Sequence, residues 1–89
     1  MKSVLILEDV VDVAQWLAAR VRAAFGADTA VVLAHTLAGA QRLVAASRYD
    51  LYVVDLGLPD GDGVDFIRTL EAVRSGLDVV VTTIYDDDE

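Results

Sequence analysis

The chain has 89 residues, 55% hydrophobic and 25% charged, with no cysteine. That length allows one small core, and the composition excludes disorder, a disulfide scaffold, a thiolate metal site and a cysteine nucleophile. Fifteen acidic against seven basic residues leave a net charge of −8, which argues against direct contact with a nucleic-acid backbone and suits divalent cations or basic protein partners.

Val4-Leu5-Ile6-Leu7 is a short apolar run closed by Glu8 and Asp9, the pattern of a strand buried on both faces. From Val11 to Phe25 the period changes: Val13, Leu17, Val21 and Phe25 recur at four-residue steps, beside Val10, Ala14 and Ala24. This predicts an amphipathic helix ended by Gly26. Trp16 lies off that stripe, at its border. Ala30 to Ala34 reads as a second buried strand. Thr36 is placed to cap a second helix that turns Leu37, Ala40, Leu43 and Val44 inward. Leu51 to Val54 is a third strand, ending at Asp55.

Residues 56–63 hold three of the six glycines and the only proline, which marks the chain's clearest turn region. Val64 to Val73 makes a third helix, with Phe66, Ile67, Leu70 and Val73 inward. Asp78 to Thr83 is a fourth strand, and Tyr85 to Glu89 a polar end. The order β-α-β-α-β-α-β, with continuously apolar strands and amphipathic helices, predicts a parallel sheet covered on both sides. No repeat or linker divides residues 1–89, so one domain is expected. A fourth strand bare at one edge predicts self-association, as a homodimer by edge pairing or exchange of elements.

In an open parallel sheet, ligands bind beyond the carboxyl ends of the strands. Glu8 and Asp9 follow the first strand here, and Asp55 closes the third. If those strands are neighbours, three carboxylates converge and raise one another's pKa values. A hard divalent cation relieves that repulsion, and Mg²⁺ suits a site with few carboxylates open to water and phosphate. Thr83, at the end of the fourth strand, could donate to a phosphoryl oxygen. Taken singly, each of these residues has a plainer reading as a loop start or a good strand former. His35, the one histidine, cannot supply a multi-histidine site and reads as a strand-end neighbour.

The segments from Leu5 to Asp9, from Tyr49 to Gly63 and from Val79 to Thr83 together resemble the receiver domain of bacterial two-component response regulators. An Asp closing the third strand, Pro59 four residues on and Gly63 eight on form that family's signature. The resemblance implies a flavodoxin-like three-layer α/β/α fold with strand order 2-1-3-4, its fifth strand and last helices absent. It implies that Asp55 is the phosphoacceptor. It further implies that Asp9, Asp55 and the Gly57 carbonyl bind Mg²⁺ directly and that Glu8 reaches the ion through water. Thr83 would contact the phosphoryl group. The implied partner is a sensor histidine kinase or phosphotransfer protein, with a DNA-binding output domain in a longer parent. The domain would not be an enzyme beyond catalysing its own phosphorylation and dephosphorylation.

The pattern departs from the family in two places. The family's fifth-strand lysine has no counterpart, since the only lysine is Lys2. Ile84 follows Thr83, where the family has a small residue. A receiver-like interaction module that does not phosphorylate is therefore the alternative. A phosphohydrolase of the haloacid dehalogenase type would need an acid at position 57, which is glycine. Asp60, Asp62 and Asp65 lack the remaining ligands of a calcium loop and read as turn residues plus a helix cap. No apolar stretch reaches the roughly 20 residues of a membrane span. Met1-Lys2-Ser3 leads into a strand pattern without the features of a signal peptide, so a cytoplasmic protein is expected.

Overall fold

A computed structural model describes residues 3–58, 60–73 and 78–82. The elements run β1 (Ser3–Leu7), α1 (Val11–Phe25), β2 (Ala30–Ala34), α2 (Leu37–Ala46), β3 (Leu51–Asp55), β4 (Gly57–Leu58), β5 (Gly61–Asp62), α3 (Gly63–Val73) and β6 (Val79–Thr82). Four strands form one parallel sheet in the order β2-β1-β3-β6, which is the predicted 2-1-3-4 with β6 as its fourth member. The short β4 and β5 pair antiparallel inside the loop after β3, a hairpin the sequence reading treats only as a turn.

The central strands β1 and β3 bury both faces because helices cover both. On one face Leu5, Leu7, Tyr52 and Val54 pack with Ala40 of α2 and with Phe66 and Leu70 of α3. On the other, Val4, Ile6 and Val53 pack against Ala18 of α1. At the amino ends of the strands, the Ser3 amide donates to Asp50 Oδ2 (2.9 Å), and the Asp50 amide donates to the Ser3 carbonyl (2.8 Å).

The buried line of α1 is Ala14 and Ala18, with Val13, Leu17 and Val21 half-buried beside it. Phe25, predicted inward, is 48% exposed. Four-residue steps rotate about 40° each around a helix, so a stripe extended to Phe25 leaves the sheet. Trp16 is more exposed than a border position implies, at 56%, and the Arg20 guanidinium lies 5.7 Å from its ring centroid. Gly26 ends the helix at φ 120°, a backbone state that side chains disfavour, and its amide donates to the Arg22 carbonyl. Thr36 caps α2 as predicted, its Oγ1 accepting from the Gly39 amide at 3.0 Å.

Among the described residues β6 pairs only with β3. Val79 packs into the core, while Val80 and Val81 are 48% and 46% exposed. Pro59 lies outside the described residues.

Candidate functional site

The register of the sheet builds the site. β1 and β3 are neighbours, with Leu7 opposite Val54, so the residues that follow, Glu8 and Asp55, come side by side. A carboxylate oxygen from each of Glu8, Asp9 and Asp55 lies within 4.8 Å of the others. Glu8 and Asp55 are 2% and 5% exposed, and Asp9 is half-buried. The convergence expected from the sequence is thus present. Among the described residues no cationic side chain pairs with this trio; Arg68 and Asp65 form an exposed ion pair away from it, on α3.

Burial is the main cause holding the Glu8 carboxyl above its ordinary range, with repulsion from Asp55 and Asp9 adding to it. The Val10 amide, donating to Glu8 Oε2 at 3.1 Å, opposes that shift. Asp55 is raised in the same way, by burial first and by Asp9 next, against the pull of the Gly57 amide on Oδ1 at 3.1 Å. Glu8 Oε1 is buried with no hydrogen-bond partner.

This donor set fits a hard divalent cation. An octahedral Mg²⁺ spaces its oxygen ligands about 3 to 4 Å apart, so a trio within 4.8 Å needs only slight contraction or one bridging water. Gly57 sits beside the trio through its amide; it is exposed, as a residue at the mouth of such a site must be.

Thr83 and Ile84 lie outside the described residues, as does Lys2. The residue opposite Asp55 in the sheet is Thr82, and its Oγ1 is buried without a partner. Thr82 and Thr83 stand in succession in the sequence. Only the pairing with β3 separates them.

The loop after Asp55 is fixed from a distance. Asp60 Oδ1 and Oδ2 accept from the Leu37 and Ala38 amides at 2.9 and 3.3 Å, at the exposed N-terminus of α2. The Leu37 amide is the main cause holding the Asp60 carboxyl below its usual range. Asp62 caps α3 by accepting from the Val64 amide at 2.9 Å. The plain reading of these aspartates therefore holds, although Asp60 serves α2 rather than α3. A group with a lowered folded pKa contributes stability above its unfolded value and loses it as pH falls through the folded one. Asp60→Asn is expected to soften acid unfolding and to speed hydrogen exchange at the Leu37 and Ala38 amides. Unchanged exchange at both amides would disprove the tether.

Residues 4–89 match the family model for the response regulator receiver domain. The KDP operon transcriptional regulatory protein KdpE of Escherichia coli is 40% identical over 70 residues, covering 79% of this chain and 30% of KdpE. The chain thus spans less than a third of that relative. The response regulator TrrA of Thermotoga maritima, solved with Mg²⁺ and BeF, superposes at a TM-score of 0.85 over 96% of this chain and 71% of TrrA. At 18% identity it bears on the fold alone. The MaeR response regulator, solved with beryllium trifluoride, is 31% identical at a TM-score of 0.79, over 98% of this chain and 70% of MaeR. The strand order, the acids at the strand ends and the match running from β1 onward agree: the chain belongs to the response regulator receiver domain family.

Proposed function

We propose that this domain accepts a phosphoryl group on Asp55 from a phosphohistidine of a sensor kinase or phosphotransfer protein. The observation that carries the reading is the convergence of Glu8, Asp9 and Asp55, with Glu8 and Asp55 buried, Glu8 Oε1 unpartnered and no cationic side chain paired with the three among the described residues. Its fit to Mg²⁺, and the beryllium trifluoride bound by the 31%-identical MaeR, support it.

The Gly57 amide holds Asp55 Oδ1 and leaves Oδ2 as the nucleophile. Oδ2 attacks phosphorus, the P–N bond of the donor breaks, and the imidazole leaves. The product is an acyl phosphate that water later cleaves. Asp9, Asp55 and the Gly57 carbonyl would hold Mg²⁺, and Glu8 would reach it directly or through water. When bound, the ion neutralises charge on the transferring oxygens. Thr82, opposite Asp55, offers its hydroxyl to the phosphoryl group. Thr83, the next residue, would contact the phosphoryl group as the family resemblance implies, with Ile84 in the family's small position. A cytoplasmic setting belongs to the same proposal; no helix among the described residues is long and apolar enough to cross a membrane.

Intact mass after incubation with Mg²⁺ and a small phosphodonor tests the reading. One phosphoryl adduct is expected, lost in Asp55→Asn and formed more slowly in Thr82→Ala. No adduct on the wild-type chain would leave the alternative, a receiver-type module that binds a partner without phosphorylation. The half-exposed Val80 and Val81, and an edge of β6 that has no strand partner among the described residues, also support self-association through that strand. Sedimentation at rising concentration is expected to show dimer, reduced by Val80→Lys. A monomer at all concentrations would disprove the pairing.

A further inference from the structure

Glu8 has four polar positions, and the protein uses three of them. Its amide donates to the Ala34 carbonyl at 2.9 Å. Its Oε2 accepts from the Val10 amide at 3.1 Å. Its carbonyl lies 2.9 Å from His35 Nδ1. Only Oε1 is left over, buried. A carbonyl accepts and cannot donate, so the ring nitrogen facing it carries the proton.

We infer that His35 is a positioning residue for the cation site: its Nδ1–H clamps the Glu8 main chain, so that Oε1 is held ready for the ion. The inference rests on the metal reading proposed above. His35 is not itself a ligand, because the atoms that gather within 4.8 Å come from Glu8, Asp9 and Asp55. It acts from the end of β2, one residue past the Ala34 carbonyl that holds the Glu8 amide. Two consecutive residues of one strand end thus grip the amide and the carbonyl of Glu8. The link ties the chain after β1 to β2, the strand on the side away from Asp55. A side chain swinging about a loose backbone would present Oε1 over a range of positions. A backbone fixed at both groups presents it at one. Partners that orient a ligand in this way typically govern affinity about 10- to 100-fold.

Mg²⁺ titration calorimetry on the 89-residue chain tests this with three variants. His35→Phe keeps a planar ring and removes the donor; its Kd is expected to rise about 10-fold. His35→Asn places an amide N–H where Nδ1 stood and is expected to return Kd to within about threefold of wild type, a rescue that loss of the bond alone would not give. His35→Gln carries the same amide one methylene too far out and is expected to stay weak. The Asn and Gln pair decides the matter even if the Phe variant fails to fold. Wild-type affinity in His35→Phe, or equal loss in Asn and Gln, would overturn the clamp alone. Absence of Mg²⁺ binding by the wild-type chain would overturn the metal reading and the clamp with it.

Discussion

Asp55→Asn is expected to melt higher than the wild-type protein when no divalent cation is present. The oxygens of Glu8, Asp9 and Asp55 lie within 4.8 Å of one another, and two unit charges at such a distance repel by about 3 kcal/mol at an effective dielectric constant near 20. Asparagine keeps the oxygen that accepts the Gly57 amide and nearly the same volume, so charge is what the substitution removes. Screening and relaxation weaken the repulsion, and a gain of about 1–2 kcal/mol, or roughly 4–16 °C in Tm, is expected.

The pH dependence has a definite sign. Folded Glu8 and Asp55 hold their protons to higher pH than the unfolded chain does. Between the unfolded and folded values the folded state binds more protons, so stability falls as pH rises through that window. The contribution is present below the unfolded value and lost above the folded one. Asp55→Asn is expected to flatten this slope, and Mg²⁺ to flatten it in the wild-type chain. Thermal melts across pH 4–8 in chelator and in Mg²⁺ measure both effects. A variant no more stable than wild type, with the same slope, would mean that the carboxylates do not crowd one another in solution.

The second large effect belongs to Gly63, the first residue of α3. A Cβ there would stand 2.6 Å from the Asp55 carbonyl oxygen and 2.9 Å from Leu56 Cα. Both are backbone atoms next to the proposed phosphoacceptor, and neither can rotate aside. Gly63→Ala is expected to cost about 2–3 kcal/mol, the upper part of the range for a core forced to overpack. Gly61→Ala is the contrast. Its Cβ would meet the Leu37 side-chain tip, which can turn away, so only a small loss is expected. Urea unfolding of the two variants compares them. Equal losses would mean that α3 can shift off Asp55 at little expense.

The sequence read well wherever the deciding physics was local. The β2 limits, the span of α1 and the Thr36 cap follow from hydrophobic period and capping chemistry over a few neighbouring residues. Asp55 was legible because an acid closing an apolar strand has few structural uses. What was not legible depends on distant partners. Asp60 reaches the α2 amides 22 and 23 residues away, and His35 meets Glu8 across 27. No spacing rule encodes either contact. The place of Thr82 opposite Asp55 likewise depends on its register against β3. The inward face of α1 fell on Ala14 and Ala18 because small side chains let a helix approach a sheet closely.

The Ser3–Asp50 stitches join β1 to β3 at the end of the sheet opposite Glu8 and Asp55. The ladder between the two central strands is thus reinforced at one end, while like charge works against it at the other. The pair behaves as a peg sprung at its jaws and tied at its foot. Neutralising the jaws, by a proton or by an ion, removes the one force that works against the strand pairing there.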